Sequence, residues 1–358
     1  MRTPLIGIDL FAGAGGMSLG ARLAGIDVQF AVENDPWACA TYRHNHSSTL
    51  LFSGDIRKLN RRQLRPWIAD GDGIVLFGGP PCQGFSWSNL RTRSESNKNN
   101  WLFLEFIRIA RLLTPEWIVF ENVQGFTNTR GGLFAEAVRS EFEQLGYTTH
   151  SAKLNAMHYG VPQDRTRFFL VASRDGVAFQ YPKPSSRLIS VDEAIRDLPK
   201  LKNGEAECRQ AYGRKKPSPY GRAMRRNQKS CCNNLVTRNA GFVLERYSYV
   251  PQGGNWEDIP ENQMDNYADR SRCHTGIYHR LKPSKPSIVI GNFRKNMLIH
   301  PTEDRGLSVR EAARLQSFPD KYEFKGSIGF QQQQVGNAVP PLLAKGVFRL
   351  VAKCREGL

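Results

Sequence analysis

The chain has few cysteines, no long apolar stretch and a shortage of acidic residues. Seven cysteines in 358 residues is an odd number, and their spacing does not suggest a disulfide framework. We therefore predict a reducing compartment and consider each thiol separately. No apolar run approaches the roughly 20 residues of a membrane helix, and residues 1–4 lead into a strand-like segment rather than a signal peptide. These absences predict a cytoplasmic protein with no membrane partner.

Basic residues outnumber acidic ones, with 50 Lys and Arg against 33 Asp and Glu, a net charge of +17 and a pI near 9.8. Such an excess is typical of proteins that bind a polyanion, and nucleic acid is the leading candidate. The stretch from Lys202 to Arg238 alone holds ten basic and two acidic residues. A charge run like this is equally consistent with a solvated loop, so other features must decide.

The first half of the chain alternates short apolar runs with amphipathic stretches, which predicts an α/β fold with a doubly wound, mostly parallel sheet. After Tyr181, prolines, polar residues and the basic cluster replace this alternation and indicate a domain boundary. Ser308 and Glu311 have the spacing of a helix capping box. We predict strands at Leu5–Leu10, Val28–Val32, Ile74–Phe77, Trp117–Phe120 and Phe168–Ala172, and helices at Trp101–Leu113, Leu133–Leu145, Ser308–Leu315 and Pro340–Val351.

A glycine-rich turn follows the first predicted strand and opens a helix. Glycines there let the backbone approach a ligand closely, although the third glycine of the dinucleotide fingerprint is replaced by Ser18. Glu33, after the second strand, could accept hydrogen bonds from ribose hydroxyls. Asp55, at the predicted end of the third strand, could accept from an adenine amino group. Together these features favour a nucleoside cofactor over an ordinary tight turn.

Cys82 lies in Gly78-Gly79-Pro80-Pro81-Cys82-Gln83, directly after an apolar strand. Open α/β sheets place their active sites beyond the carboxyl ends of such strands. Two prolines stiffen the loop, and the flanking glycines allow a sharp turn. We therefore predict that Cys82 is a nucleophile, and that the other six cysteines are inert. A thiol with an ordinary pKa near 8.5 is only a few per cent ionised at pH 7, so its site must add activation.

With these motifs the chain resembles the DNA cytosine C5 methyltransferases of bacterial restriction-modification systems. Five segments are similar to the motifs of that family, they occur in the family's order, and they span almost the whole chain. Only the stretch from about 185 to 270 lacks a shared motif. The similar segments are the glycine turn, the Pro-Pro-Cys-Gln loop, Glu121-Asn122-Val123, Gln163-Asp164-Arg165-Thr166-Arg167 and Gly336-Asn337-Ala338-Val339-Pro340-Pro341.

The resemblance implies methyl transfer from S-adenosylmethionine to C5 of cytosine. Since C5 is a poor nucleophile, Cys82 would first add to C6 and generate an enamine. Glu121 would contact N3 and the exocyclic amine, which requires that its carboxyl be protonated or share a proton. Arg167, and with it Arg165, would contact O2 and hold Glu121. The alternative for these residues is a surface ion pair on neighbouring strands.

The resemblance also assigns the cofactor pocket and the domains. A discontinuous catalytic and cofactor-binding domain would comprise residues 1–185 and 327–358, with a target recognition domain and hinge at 186–326. The protein would be Rossmann-like, monomeric, cytoplasmic and nucleoid-associated, and it would pair functionally with a restriction endonuclease. The predicted cofactor-binding residues are Phe11, Gly13, Gly15, Glu33, Asp55, Ile56, Pro80 and Asn337.

The implied partner is double-stranded DNA with its target cytosine flipped out, because a stacked base cannot present C6 to a thiol. Residues 86–100 would form a loop that closes over the DNA, or else an ordinary solvated connection. Phosphate contacts would come from the basic cluster. No metal is predicted, since the remaining Cys and His lack paired ligand spacing. The predicted DNA-binding residues are Gln83, Ser86, Arg91, Arg93, Arg214, Lys215, Lys216, Arg225 and Arg226.

Two other functions remain open. An RNA cytosine C5 methyltransferase acting on transfer RNA would resemble this family, but the Cys-Phe-Thr signature of that group is missing and the recognition segment is long and basic. A catalytically silent DNA-binding protein could share the fold, although Cys82, Glu121 and Arg167 are intact. Methylation of exocyclic amines would require an Asp/Asn-Pro-Pro-aromatic loop where this chain has Pro-Pro-Cys.

Overall fold

The protein is described by a computed structural model over residues 5–68, 73–81, 102–127, 132–264, 275–291, 293 and 297–356. It divides into two compact units. The first unit comprises residues 1–155, 166–184 and 341–358, and the second comprises 156–165 and 185–340. In the described ranges, no helix combines the length and the apolar character that a membrane crossing needs.

The first unit is built on a seven-stranded sheet in the order β3-β2-β1-β4-β5-β7-β6. β7 runs antiparallel to both of its neighbours, while the pairings from β3 through to β5 are parallel. The strand order therefore reverses at β1, between β2 and β4. The strands are β1 Ile6–Leu10, β2 Asp27–Glu33, β3 Leu50–Ser53, β4 Ile74–Gly78, β5 Trp117–Val123, β6 Thr148–Asn155 and β7 Thr166–Ser173.

Helices cover both faces of this sheet. Apolar residues of β1, β4 and β5 are buried against helices, and four phenylalanines at 106, 120, 126 and 142 pack mainly edge-on in the core. The last helix, Pro341–Glu356, lies so close to the first that a Cβ on Gly20 would be 2.5 Å from the Ala344 Cβ. The other helices are α1 Gly16–Leu23, α2 Pro36–Asn45, α3 Arg61–Leu64, α4 Leu102–Leu113 and α5 Leu133–Gln144.

The second unit consists of short helices joined by long irregular segments. Its centre is Arg314, whose guanidinium is fully buried and bound by Asp197 at 2.6 Å and Asp320 at 2.6 Å. These two carboxylates compensate the free-energy cost of removing the guanidinium from water. The elements are α6 Val191–Ile195, α7 Pro219–Arg225, α8 Gly241–Tyr249, the helices Val309–Leu315 and Ile328–Asn337, and the strand pair β8 Gln210–Ala211 with β9 Ser230–Cys231.

The predicted fold class is confirmed, and all five predicted strands are present. The capping box is present as well, since Ser308 Oγ accepts from Glu311 N at 3.0 Å and Glu311 Oε2 accepts from Ser308 N at 2.8 Å. The list of strand candidates lacks β3 and β6, which form the two edges of the sheet. β6, Thr148–Asn155, is polar and mostly exposed or half-buried, so it lacks a strong apolar signal. β3, Leu50–Ser53, is apolar but only four residues long, and the sequence analysis expected a third strand before Asp55 without giving its bounds.

The division into units differs from the predicted domain boundaries at two segments. Residues 156–165 and 327–340 belong to the second unit rather than to the sheet. The physical reason is the local packing of these segments. Gln163 donates to the Leu315 carbonyl at 3.3 Å, and Gln316 donates to the Val335 carbonyl at 2.9 Å, both within the second unit.

Candidate active site

The reversal of strand order at β1 opens a crevice at the carboxyl ends of the central strands, where ligands of open α/β sheets bind. The chain leaves β1 through Phe11, Gly13 and Gly15, all three with positive φ. Gly15 is the left-handed N-cap of α1 and carries no side chain that could fill the turn. This turn therefore places the start of α1 just beyond the carboxyl end of β1. Its Gly13 N–H donates to Glu33 Oε2, and its Gly15 N–H donates to the Ala12 carbonyl.

Two buried polar side chains flank the glycine turn in sequence, Asp9 before it and Ser18 after it. Ser18 Oγ donates to Asp9 Oδ2 at 2.6 Å and lies 2.7 Å from the Tyr42 hydroxyl. Burial raises the pKa of Asp9 to about 8, against the opposing effect of the Ser18 hydrogen bond. Asp9 is therefore mostly protonated at neutral pH, and it adds little negative charge beneath the turn.

Two carboxylates lie on the wall of one cavity in the first unit. Glu33 Oε2 accepts from Gly13 N at 2.7 Å, and its Oε1 accepts from the amides of residues 34 and 35 at 2.8 Å. Burial raises the pKa of Glu33, while these backbone hydrogen bonds oppose the rise. Asp55 follows β3 and caps the turn Ile56–Lys58. The cavity is lined by Phe11, Val32, Glu33, Asn34, Gly54, Asp55, Ile56, Arg57, Pro81 and Leu102.

A buried ion pair lies further along the sheet. Arg167 Nε is 3.1 Å from Glu121 Oε1, with side-chain exposures of 12% and 8%. The two residues are diagonal neighbours, because Val123 pairs with Arg167 and Glu121 pairs with Phe169 in the antiparallel ladder. Burial lowers the pKa of Arg167, whereas Glu121 acts in the opposite direction. Near the carboxyl end of β5, the guanidinium of Arg167 thus lies next to the carboxyl group of Glu121, and little of either side chain is exposed.

The Gly78–Pro81 loop passes directly over Glu121. A Cβ on Gly79 would lie 2.5 Å from Glu121 Oε2, and a Cβ on Gly78 would lie 1.9 Å from the Leu10 carbonyl oxygen. Asn122 Nδ2 donates to the Pro80 carbonyl at 3.1 Å. A side chain at Gly78 would clash with the backbone of β1, and one at Gly79 would displace the Glu121 carboxylate. Contacts with β1 and β5 therefore fix the path of the chain as far as Pro80.

Comparison with known proteins identifies this arrangement. A family model for C-5 cytosine-specific DNA methylases matches residues 5–353. The chain is similar to the Type II methyltransferase M1.HphI of Haemophilus parahaemolyticus, with 38% identity over 97% of this chain and 86% of the relative. It is also similar to M.DdeI of Desulfomicrobium norvegicum, with 34% identity over 95% and 86%. The chain belongs to the C-5 cytosine-specific DNA methylase family.

The family membership confirms the resemblance and makes this protein a DNA (cytosine-5)-methyltransferase. A solved Escherichia coli structure, described as a prophage-encoded DNA modification methyltransferase, has a TM-score of 0.80 and 25% identity. The alignment covers 98% of this methylase and 99% of that chain. The mostly parallel seven-stranded sheet is therefore the methyltransferase fold.

The structure brings several predicted residues of the methylase together. Phe11, Glu33, Asp55 and Ile56 line one cavity. Gly13 is connected to it through its backbone hydrogen bond to Glu33 Oε2, and Gly15 is the N-cap of α1. Pro80 lies in the loop held by Asn122, while its neighbour Pro81 lines the cavity instead. Five predicted residues lie outside the described part of the chain, namely Cys82, Gln83, Ser86, Arg91 and Arg93.

Arg165 belongs to the second unit and differs in setting from Arg167. Its exposure is 1%, and its guanidinium donates to the carbonyls of Ile290, Gly336 and Ala338 at 3.0, 3.0 and 3.1 Å. Arg165 thus anchors the chain on both sides of Asn337, which is exposed at the end of its helix. Direct contact of Arg165 with a substrate base stays a prediction, and the observed contacts are those of a framework residue.

Four of the predicted DNA-binding residues, Arg214, Lys215, Lys216 and Arg226, are exposed in the second unit. Arg225 differs from them. Its Nε donates to Asp197 Oδ2 at 2.5 Å, and its guanidinium carbon lies 3.7 Å from the Tyr212 ring centroid. The buried Asp197 carboxylate binds Arg225 and makes it part of the framework around Arg314. The predicted DNA contact of Arg225 stays a prediction.

Sequence reasoning missed six lining residues of the cavity, namely Val32, Asn34, Gly54, Arg57, Pro81 and Leu102. The signal for the first five was position, since each is adjacent to a predicted cofactor-binding residue. Leu102 had no such signal, because only the packing of α4 brings it there. Across the described ranges, no cluster of three or more His, Cys, Asp or Glu side chains is arranged to hold a metal ion.

Proposed function

We propose that this methyltransferase transfers a methyl group from S-adenosylmethionine to C5 of a flipped-out cytosine in a short specific sequence of double-stranded DNA. The reaction proceeds through a covalent bond between Cys82 and C6. The observation that carries this proposal is the buried Glu121–Arg167 pair beneath the loop that leads into Cys82. Since the relatives are named Type II methyltransferases, we propose a protective role beside a restriction endonuclease.

Glu121 and Arg167 suit the electron flow of this reaction. When the Cys82 thiolate adds to C6, electron density moves toward N3 and O2 of the base. A proton held at N3 by Glu121, and the cationic Arg167 donating to O2, would stabilise that charge more in the transition state than in the ground state. Burial of both side chains strengthens these interactions, because little water competes. After transfer, loss of the C5 proton and of Cys82 restores the ring.

The cavity beside Glu33 and Asp55 has the chemistry of an adenosine site. Ribose hydroxyls and the adenine amine are donors, and the cavity supplies two carboxylates as acceptors. Phe11, Ile56 and Leu102 offer apolar contacts for a flat base. Bound S-adenosylmethionine would supply the electrophilic methyl group. Glu33 would hold the ribose and Asp55 the adenine, and we assign Asn337 to the same cofactor on the resemblance alone.

Phosphate contacts are assigned to the exposed cluster of Arg214, Lys215, Lys216 and Arg226, and the loop residues Gln83, Ser86, Arg91 and Arg93 would contact DNA near the target base. Replacing Arg214, Lys215 and Lys216 with glutamine should weaken DNA binding at low salt. The slope of log K against log salt should become shallower by about 2 to 3, because each lost phosphate contact removes about 0.9. Fluorescence anisotropy over a salt series measures both quantities.

A matched control removes three exposed arginines from the first unit, Arg61, Arg62 and Arg65, with the same change in net charge. This control should leave the salt slope near the wild-type value. Equal slopes of log K against log salt in the wild type and the 214–216 variant would show that the basic cluster is a solvated loop without phosphate contacts.

The decisive experiment expresses the protein in a host free of cytosine methylation and maps 5-methylcytosine in genomic DNA at base resolution. Marks confined to one short sequence support the proposal and give the target site. Folded protein without DNA marks, but with methylated transfer RNA, would favour the RNA methyltransferase alternative. Absence of both marks, with DNA still bound, would favour a silent DNA-binding protein.

A further inference from the structure

Arg57 forms an unusually complete contact with Asp55 at the rim of the cofactor cavity. Arg57 Nε donates to both carboxylate oxygens at 2.9 Å, and Nη2 donates to Oδ2 at 2.5 Å. The Arg57 backbone N–H donates to Oδ1 at 3.0 Å. A planar guanidinium that meets a carboxylate in this way fixes the rotation of the carboxylate as well as its position.

The turn that carries this pair is itself held in place. Gly54 N donates to the Glu33 carbonyl at 2.8 Å, which ties the turn to the end of β2. Arg108, from α4, donates to the Ile56 carbonyl at 3.0 Å. The backbone on both sides of Asp55 is therefore anchored to the sheet and to a helix. The remaining freedom at this position is the side-chain torsion of Asp55, and Arg57 restricts it.

The pair still leaves an acceptor position for a ligand. Each carboxylate oxygen offers two lone pairs. Oδ1 receives the backbone N–H and Nε of Arg57, whereas both donors to Oδ2 come from the same side, that of the guanidinium. Oδ2 therefore keeps an acceptor position away from Arg57. Both side chains line the same cavity as Phe11 and Ile56.

We propose that Arg57 is a positioning residue for cofactor recognition, which orients the Asp55 carboxylate toward the exocyclic amine of the adenine ring. This inference rests on the proposed function, because it takes adenosine as the occupant of the cavity. Arg57 would raise affinity for an adenine base over a base without the amine, and it would do so through Asp55 rather than by touching the base. The Arg57 hydrogen bonds also lower the pKa of Asp55.

The test measures binding of S-adenosylhomocysteine and of its deaminated analogue, in which a carbonyl replaces the 6-amino group, by titration calorimetry. Wild-type protein should prefer the amine-bearing ligand. Arg57→Ala should weaken binding of S-adenosylhomocysteine about three- to tenfold, a modest loss because Arg57 is 54% exposed. Its affinity for the deaminated analogue should change little, so the preference should shrink by the same factor.

Two further variants separate positioning from simple loss of structure. Arg57→Lys should restore only part of the preference, since an ammonium group cannot hold both oxygens. In Asp55→Asn, the additional replacement Arg57→Ala should have no further effect on the preference. Arg61→Ala, an exposed arginine of α3 that does not line the cavity, is the matched control and should retain wild-type preference.

Each outcome bears on a different statement. No binding of S-adenosylhomocysteine by the wild type would overturn the proposed cofactor and this inference with it. Binding of both ligands with equal affinity would overturn the proposed contact between Asp55 and the adenine amine. A normal preference in Arg57→Ala would overturn the positioning role alone. Tighter binding by Arg57→Ala would overturn it as well, because it would show that Arg57 competes with the base for Asp55.

Discussion

Replacing Cys82 with alanine is expected to abolish methyl transfer to DNA, by a factor on the order of 10⁴ or more. Without the thiolate there is no covalent addition at C6, and C5 keeps the poor nucleophilicity of an aromatic carbon. Binding of S-adenosylhomocysteine should persist, because the residues that line the cavity are unchanged. A methyl-transfer assay with radiolabelled S-adenosylmethionine measures the first quantity, and calorimetry measures the second.

Covalent trapping tests the same residue independently of turnover. In the presence of S-adenosylmethionine, duplex DNA with 5-fluorocytosine at the target site should form a stable adduct with the wild type. After methyl transfer to C5, fluorine cannot leave as a cation, so the elimination that releases Cys82 is blocked. Cys82→Ala should form no adduct. Cys208→Ala is the matched control, because it removes an exposed thiol that has no role in the proposed mechanism, and it should behave like the wild type. Normal turnover by Cys82→Ala would exclude the covalent mechanism.

Replacing Glu121 with glutamine is expected to lower the single-turnover rate by about 10² to 10⁴, the usual contribution of a positioned proton donor. Glutamine has the same shape, so it fits beneath Gly79, but it cannot hold an acidic proton at N3 of the base. It also leaves the buried Arg167 without its anionic partner. Rapid-quench measurement at saturating DNA and cofactor gives this rate separately from substrate binding.

Glu116→Gln is a close structural control for that variant. Glu116 is also a buried carboxylate of the first unit, and its Oε1 lies 3.1 Å from Arg355 Nε, the same distance as in the Glu121 pair. Both variants should lower thermal stability, since each removes one partner of a buried ion pair. Only Glu121→Gln should slow the chemistry. Equal rates in the two variants would mean that Glu121 has a structural role alone.

Much of the first unit could be predicted because its signals are local. Central strands such as Ile74–Gly78 are fully buried, so they stand out as continuous apolar runs bounded by glycine. The edge strand Thr148–Asn155 was missed because its exposed side chains are polar. Glu33 and Asp55 were proposed as cofactor-binding residues from their places after expected strands, and parallel strands bring such positions to one edge of the sheet. Both residues line the same cavity.

The sequence did not distinguish the structural settings of residues that lie close together in one motif. Arg165 and Arg167 lie in one motif, yet Arg167 pairs with Glu121 whereas Arg165 binds carbonyls of the second unit. Alternation along a strand predicts a shared face for the two side chains, but the chain crosses from one unit to the other between them. Arg225 shows the same limit, because the buried Asp197 that holds it is distant in sequence.

The sequence by itself determined the family, the sheet, the candidate nucleophile and the acids around the proposed cofactor cavity, because motif order and apolar periodicity are properties of short segments. Tertiary structure alone decided which charges serve as framework. Three examples depend on where backbone and side chains meet in space. Arg165 is buried, Arg225 is bound by Asp197, and Arg57 contacts Asp55. A charged side chain gains such a role only when folding removes it from water and supplies its partner, and no local pattern records that.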